Sequence, residues 1–404
     1  MSGTFNVPQL SITSATVTGL LRALGGFKFP QFTTAARPGS PVVGQTIYNT
    51  DEDALEVYTG SSWELVSGGG ALPTWSTKPT SGLITGLIGW NTTTSEVDIY
   101  NGSDWLSIQT GPASGGGGGA MTASGGNNTY DPGDGYKYHV FTSDGTFTVS
   151  SGGGDIEYIV LAGGGGGGGG DVGCGGGAGG YRSNVRGFPS GGGVVAEDAM
   201  TISSGSYPVV VGGGGPGSSS SGSDATDGSD SSFNGITSLG GGGGASWGSA
   251  TGRVGGSGGG SASTRTGAAG TAGQGYAGGS GRGSPNYPQG GGGGAGGPGQ
   301  PSINANFAGC GGVGLANPFG TVTSIGEAIG GDSYWLAGGG GGGVESTAQV
   351  GFGGLGGGGI GGRQSPNTNP GDGLANTGGG GGGEDSGKGG DGGSGVVILR
   401  YATG

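Results

Sequence analysis

The chain carries all-glycine runs at 163–170, 212–215, 240–244, 290–294, 338–343, 356–359 and 378–383. No side-chain core can form inside such a run. Its only packing material is backbone, and every buried N–H and C=O must find a partner. Two states meet that demand. One is a solvated linker, for which glycine-rich composition alone argues. The other is an array of polyglycine II helices, with three residues per turn, a rise of about 3.1 Å per residue and no internal hydrogen bonds. In that array each backbone polar group points at a neighbouring helix, and only glycine allows so close an approach.

Three features favour the array. The runs are short and separate. The segments between them carry apolar groups such as Val209-Val210-Val211 and Tyr334-Trp335-Leu336. Strand patterns bound the region on both sides, and Val396 to Tyr401 reads as a buried strand whose natural partner is Ile156 to Leu161. Ordering glycine has a large entropy cost, which a dense lattice of inter-helix hydrogen bonds must offset. A helix surrounded on all sides needs glycine everywhere, whereas an outer one needs it only on its inward face. The pure runs are therefore expected inside and mixed stretches such as Gly255-Gly256-Ser257-Gly258 outside. A side chain at Gly341 should disrupt far more than one at Gly217. Between 163 and 394 almost no α-helix or β-sheet is expected.

Composition confirms that this is no ordinary core. Of 404 residues 121 are glycine, 30% are hydrophobic and 10% are charged, so a conventional core for the whole chain is out of reach. The formal charge of −13 argues against nucleic acid and anionic membrane surfaces as partners. No apolar run approaches a membrane span, and the first ten residues show no signal-peptide pattern. Cys174 and Cys310 sit in matching Gly-Cys-Gly-Gly settings and read as small buried thiols in preference to a mutual bridge.

Upstream lies an internal repeat. Tyr48-Asn49-Thr50 matches Trp90-Asn91-Thr92, Val57-Tyr58 matches Ile99-Tyr100, Gly60 matches Gly102 and Trp63 matches Trp105, and each pair is 42 apart (90−48, 99−57, 102−60, 105−63). Constant offset across several positions marks a duplicated module. Each copy reads as a three-strand meander, which is marginal alone and must bury an aromatic face. Tyr48, Tyr58, Trp63, Trp90, Tyr100 and Trp105 are the packing residues, and trimerisation around an axis is the favoured solution over packing within one chain. The organisation is thus a first segment at 1–35, modules at 36–70 and 71–110, a Gly/Ser linker at 111–130 and a glycine-rich domain at 131–404. Within the last, Tyr136 to Phe141 and Thr146 to Val149 read as a hairpin about Ser143-Asp144-Gly145. The fold class is mainly β and irregular: small meander modules, then a polyglycine II sandwich closed by a few strands.

Chemistry is scarce. The single histidine, His139, sits in strand alternation as a surface or packing residue. No zinc cluster or acid–base constellation is present. Gly-x-Gly-x-x-Gly matches carry no information at this glycine content, and Gly387-Lys388-Gly389 lacks the Ser/Thr of a phosphate loop. Asp224, Asp227 and Asp230, spaced by three, could ligate Ca²⁺, although a solvated polar loop is the preferred reading. No enzyme activity, metal or cofactor is expected.

The order of motifs in the second half is more specific. Tyr138-His139-Val140-Phe141, Gly145-Thr146-Phe147-Thr148-Val149, Glu157-Tyr158-Ile159-Val160-Leu161-Ala162 running into polyglycine, Gly179-Gly180-Tyr181-Arg182, Ser231-Ser232-Phe233 and the terminal Gly395-Val396-Val397-Ile398-Leu399-Arg400-Tyr401 together resemble the glycine-rich domain of bacteriophage tail fibres and adhesins. Phe32-Thr33-Thr34-Ala35-Ala36-Arg37 leading into Gly44-Gln45-Thr46-Ile47-Tyr48-Asn49-Thr50 likewise resembles phage fibre repeats. The resemblance implies a polyglycine II sandwich whose connecting loops bind host surface receptors. It implies a virion protein, made in the host cytoplasm, with the 1–35 segment attaching to other tail or neck proteins. It also implies a host surface polysaccharide or outer-membrane protein as partner, with no membrane insertion. Exposed aromatics flanked by Ser, Asn and Gly suit such a surface, so Trp247, Tyr276, Tyr287, Tyr334 and Trp335 are the candidate receptor contacts. A structural appendage without receptor binding, such as a neck whisker or capsid decoration, is the alternative. An ice-binding role is disfavoured, because the loops are irregular and aromatic where a flat Thr/Ala face would be needed.

Overall fold

A computed structural model describes residues 31–39, 41, 46–52, 54–58, 61–65, 74–75, 88–91, 96–100, 105–108 and 121–403, apart from 172, 220–222, 247–250, 346, 365–367 and 385–386. The chain divides into two units, 1–111 and 112–404.

In the first unit the duplicated module is a four-stranded sheet, not a three-stranded one. β1 (Gln31–Phe32), β2 (Thr46–Asn49), β3 (Ala54–Tyr58) and β4 (Trp63–Leu65) lie in that order. β5 (Thr74–Trp75), β6 (Ile88–Asn91), β7 (Glu96–Tyr100) and β8 (Trp105–Ile108) repeat it. The antiparallel meander matches expectation, with Tyr58 opposite Trp63 and Tyr100 opposite Trp105. The added strand pairs in parallel, Gln31 opposite Tyr48 and Thr74 opposite Trp90. Its offset between copies is 43 (74−31), one more than that of the meander, so a fixed-offset comparison does not reveal it. The Tyr58 and Trp63 rings meet at 5.5 Å. Glu56 is buried and takes an ion pair from Arg37, whose Nε donates at 2.7 Å. The buried Asn49 closes the following turn by accepting from the Asp51 N–H at 2.9 Å.

The second unit is layered. One sheet has the order β10 (Asn128–Tyr130), β11 (Tyr136–Phe141), β22 (Val396–Ala402), β13 (Gly154–Leu161) and β14 (Tyr181–Ser183), with β15 (Met200–Ile202) also on β13. The expected closure holds: Val396 pairs with Leu161 and Arg400 with Glu157, antiparallel. The expected hairpin does not. β12 (Gly145–Ser151) crosses to a second sheet of order β18 (Ile236–Ser238), β17 (Ser231–Phe233), β16 (Gly205–Val210), β12, β9 (Thr122–Ser124). The reason is apolar demand on facing surfaces. Phe147 and Val149 of one sheet pack against Phe141, Tyr158, Val397, Leu399 and Tyr401 of the other. The alternate residues Ile159, Leu161, Val396 and Ile398 face the opposite way, against Ala178, Ala295, Phe319 and Leu336. The closing strand is buried on both faces, which is why it reads as an unbroken apolar run. β9 and β10 fall within the stretch read as linker.

Beyond β13 the glycine lattice begins. N–H groups donate in rotation: Gly163 to Ser229, Gly164 to Gly393, Gly165 to Gly177, then Gly166 to Thr226, Gly167 to Gly390 and Gly168 to Cys174. Each direction recurs after three residues, the period of a polyglycine II helix. Partner numbers fall by three, so these neighbours are antiparallel. The carbonyls of Gly163, Gly164 and Gly165 accept from Gly241, Gly215 and Gly381, and those of Gly166, Gly167 and Gly168 from Gly244, Ser218 and Glu384, which are parallel neighbours. Run 163–170 is therefore ringed by six segments. A Cβ on Gly164 would stand 2.1 Å from the Gly379 oxygen. Run 338–343 is enclosed in the same way, with N–H groups directed to Gly356, Gly312, Gly176, Gly359, Gly309 and Gly173 in turn.

Purity of a run does not by itself decide its depth. In 212–219 the residues 212, 215 and 218 are buried and 213, 216 and 219 exposed, so this glycine run is an outer helix. The mixed stretch 256–260 is wholly buried. Ser257 fits inside because Gly275 opposite has no side chain; a Cβ there would meet Ser257 Oγ. Gly217 is no safer than Gly341: an added Cβ would lie 2.0 Å from the Gly389 oxygen at the first and 2.0 Å from the Gly351 oxygen at the second. Nor is the region free of strands. Besides β14 to β18, a small sheet of β19 (Leu315–Ala316), β20 (Glu327–Ala328) and β21 (Tyr334–Leu336) and one helical turn, α1 (Gly320–Thr323), interrupt it.

The three aspartates have a lattice role. Asp230, Asp227 and Asp224 accept from the N–H groups of Gly240, Gly243 and Ser246 at 2.8, 2.9 and 3.1 Å. Their spacing of three is the helical repeat, and each carboxylate stands in for a neighbouring backbone carbonyl. His139 is buried, not superficial; its Nδ1 lies 2.7 Å from the Gly125 oxygen and its ring stacks on Tyr401. Both cysteines are free thiols, Cys174 buried and Cys310 half-buried.

Candidate binding surface

Hydrogen-bond direction sorts the connections into two ends. Run 163–170 leaves the strands, 173–180 returns antiparallel to β14, 212–218 leaves again and 224–230 returns to β17. The alternation continues to 378–384 outward and 388–395 back into β22. Connections such as 271–275, 315–337 and 374–377 consequently lie at the strand end. Connections 263–265, 282–288 and 303–307, with residues 345, 347–349, 364 and 368 of two others, lie at the distal end.

The distal connections brace one another. Asn286 Nδ2 donates to the Ala305 oxygen at 3.1 Å, the Glu345 N–H to Asn286 at 3.1 Å and the Gln349 N–H to Asn306 at 2.8 Å. Gln364 N–H reaches Val344 at 3.3 Å. Beneath them Ala308, Val344, Ala348 and Val350 form a small apolar cluster. Gln289 is buried at the root of the 282–288 loop; its Oε1 accepts from the Ser263 N–H at 3.4 Å and its Nε2 donates to the Tyr287 carbonyl. The described residues of these loops are tied to one another, which preorganises the surface they form. It presents Ile303 and Phe307, 75% and 48% exposed, with Asn304, Asn306, Arg265 and Arg282 also exposed. Neither arginine has an ion pair among the described residues, unlike Arg253, Arg182 and Arg400.

The predicted contacts are not all together. Tyr287 is in the distal surface, half-buried. Tyr276 lies at the strand end, immediately after the 271–275 turn, with its hydroxyl against Gly193. Tyr334 and Trp335 are half-buried members of β21, paired with Ala328 and Ala316. Trp247 lies outside the described residues. Among the module residues, Tyr48, Tyr58 and Trp63 are half-buried, while Trp90, Tyr100 and Trp105 are placed only by their strands. Ile303 to Phe307 was missed, although the nine-residue segment without glycine that holds it, 300–308, amid glycine stretches, was its visible signal.

Two grooves each hold an internal ion pair. The larger, about 690 Å³, lies beside Tyr158, Arg182, Glu197 and Met200. There Arg182 grips Glu197 at 2.7 Å, and Tyr158 donates to the same carboxylate at 2.9 Å. Burial, then that carboxylate, pushes the Tyr158 hydroxyl pKa up. The smaller, about 360 Å³, holds the Lys388–Asp391 pair at 2.5 Å. Among the described residues no group of His, Cys, Asp and Glu is arranged to hold a metal ion, and no helix is long and apolar enough to cross a membrane.

The family model of a glycine-rich domain matches residues 142–402, more than half of the chain. No curated protein matches the chain.

Proposed function

The chain belongs to this glycine-rich domain family, and on that footing we propose that it is a virion fibre or adhesin that attaches a phage particle to a host-cell receptor through the distal loops. The observation that carries the reading is the separation of roles within the lattice. Most interior positions would set a Cβ against neighbouring backbone, so variation concentrates in the connections and on outward positions, and one set of connections forms a braced surface at the end remote from the strands. Binding on this reading is non-enzymatic. Partially exposed Tyr287, Phe307 and Ile303 supply apolar contact and the asparagines supply adaptable hydrogen bonds. The receptor class is a surface polysaccharide or an outer-membrane protein. The duplicated modules supply oligomerisation, with a trimer as the proposed state, and the N-terminal segment joins other tail or neck proteins. The test is adsorption of particles to host cells after preincubation with purified chain. Saturable inhibition is expected. If the chain neither binds cells nor blocks adsorption, yet gold-labelled antibody finds it on particles, the structural-appendage reading replaces this one.

A further inference from the structure

Charge is unevenly placed along this chain. Residues 231–326 contain no aspartate or glutamate, although the chain has 26 of them, and they carry Arg253, Arg265 and Arg282. That stretch is +3 and the remainder −16 (−13 − 3). The stretch is also contiguous in space. The Ser261 N–H donates to Gly279, Gly279 to Gly291, Gly291 to Gln300 and Gln300 to Cys310, so its segments stand side by side in the stack. Arg253 is already paired with Asp227. Arg265 and Arg282 are exposed, with no ion pair among the described residues, and each stands on its own distal loop. Their backbones are fixed. The Arg282 N–H donates to the Pro288 oxygen at 2.8 Å and the Arg265 N–H to the Ala262 oxygen at 3.3 Å. Buried Gln289 links the two loops by accepting from the Ser263 N–H at 3.4 Å.

Resting on the receptor-binding role given above to the distal loops, we propose that their ligand is a carboxylate-bearing surface polysaccharide, gripped by Arg265 and Arg282. Local charge decides the sign of the ligand. Charges more than about 8 Å away are screened at physiological salt, so the acid-free loops 263–265, 282–288 and 303–307 meet the ligand and the net −13 does not. The adjoining loop, tied through Asn286, brings in the acidic Glu345, half-buried, which confines the one-signed patch to these three loops. A polymer that repeats one charge matches such a patch, whereas a folded protein surface intersperses both signs. The guanidinium fork fits a planar carboxylate with two parallel hydrogen bonds. One arginine per loop suits single charges spaced along a chain; a phosphate dianion would draw several donors to one point. Exposed Asn304 and Asn306 on the neighbouring loop offer amides to sugar hydroxyls.

Binding of the full-length chain to host cells tests this, with the cells untreated, protease-treated, or protease-treated and then amidated at their carboxylates with a carbodiimide and ethanolamine. Binding is expected to survive protease and to fall at least tenfold after amidation. Arg265→Gln with Arg282→Gln should weaken binding to protease-treated cells at least tenfold. Lys137→Gln with Arg186→Gln removes the same charge from the strand end and should change it less than twofold. Loss of binding after protease overturns the proposal in favour of an outer-membrane protein. Binding that survives amidation overturns it in favour of phosphate or uncharged groups. A distal double variant that binds like wild type overturns the assignment of the two arginines. A chain that binds no untreated cell defeats the receptor reading itself, so the two failures are told apart.

Discussion

The backbone N–H of Gly243 donates to Asp227 Oδ1 at 2.9 Å, so a side chain fills a lattice position that a carbonyl occupies elsewhere in the stack. Gly243 is buried and cannot turn to water instead. Asp227→Ala should therefore cost about 1–3 kcal/mol, the penalty of an orphaned buried donor. Arg253→Ala removes only the half-exposed ion pair with the same carboxylate, 2.7 Å long, and should cost less than about 1 kcal/mol. Asp227→Asn keeps an acceptor and should fall between them. Chemical denaturation of the three variants checks the order.

Within the stack, glycine is needed where a Cβ would meet neighbouring backbone. Gly341→Ala and Gly217→Ala each drive a methyl to 2.0 Å from a carbonyl oxygen, whereas Gly213 has nothing within 4 Å. Both of the first two should lose more than about 4 kcal/mol or fail to fold. Gly213→Ala should stay within about 1 kcal/mol of wild type, on the stabilising side, because alanine narrows the unfolded ensemble. Melting temperatures of the soluble variants decide it.

Much of this was legible in sequence. Separate runs bounded by strands implied a threefold lattice, and the apolar run from Val396 implied pairing with Leu161. Depth was not legible. Whether Ser257 fits depends on what faces it, here Gly275, and no local pattern encodes a facing residue 18 positions away (275−257). The Phe141–Phe147 corner misled for a related reason: a tight turn between alternating strands suits a hairpin, but two apolar faces each needing cover drew the strands into different sheets. The strand-end position of Tyr334 and Trp335 was readable, since a β-like run between glycine segments belongs where the other strands are.

His139 makes stability depend on pH. Burial lowers its pKa below 6.5, with nearby Lys137 adding to the effect and the bond to Gly125 opposing it. Below pH 6.5 the unfolded chain therefore binds more protons than the folded one. Stability should fall as pH drops through 6.5 and level off below the folded-state value, with a slope no steeper than about 1.4 kcal/mol per pH unit for one proton. His139→Phe should remove that component of the curve between pH 7 and 5. An unchanged pH profile in the variant would assign the dependence to other groups.

The proposed function puts the distal loops, and not the strand-end aromatics, against the host. Cell adsorption of purified chains separates the two directly. Tyr287→Ala with Phe307→Ala alters the distal surface, while Tyr334→Ala with Trp335→Ala alters the β21 sheet at the opposite end. Among variants that fold, the distal pair should weaken binding at least tenfold and the β21 pair less than twofold. Loss of binding in the β21 pair, with the distal pair indistinguishable from wild type, would contradict the account.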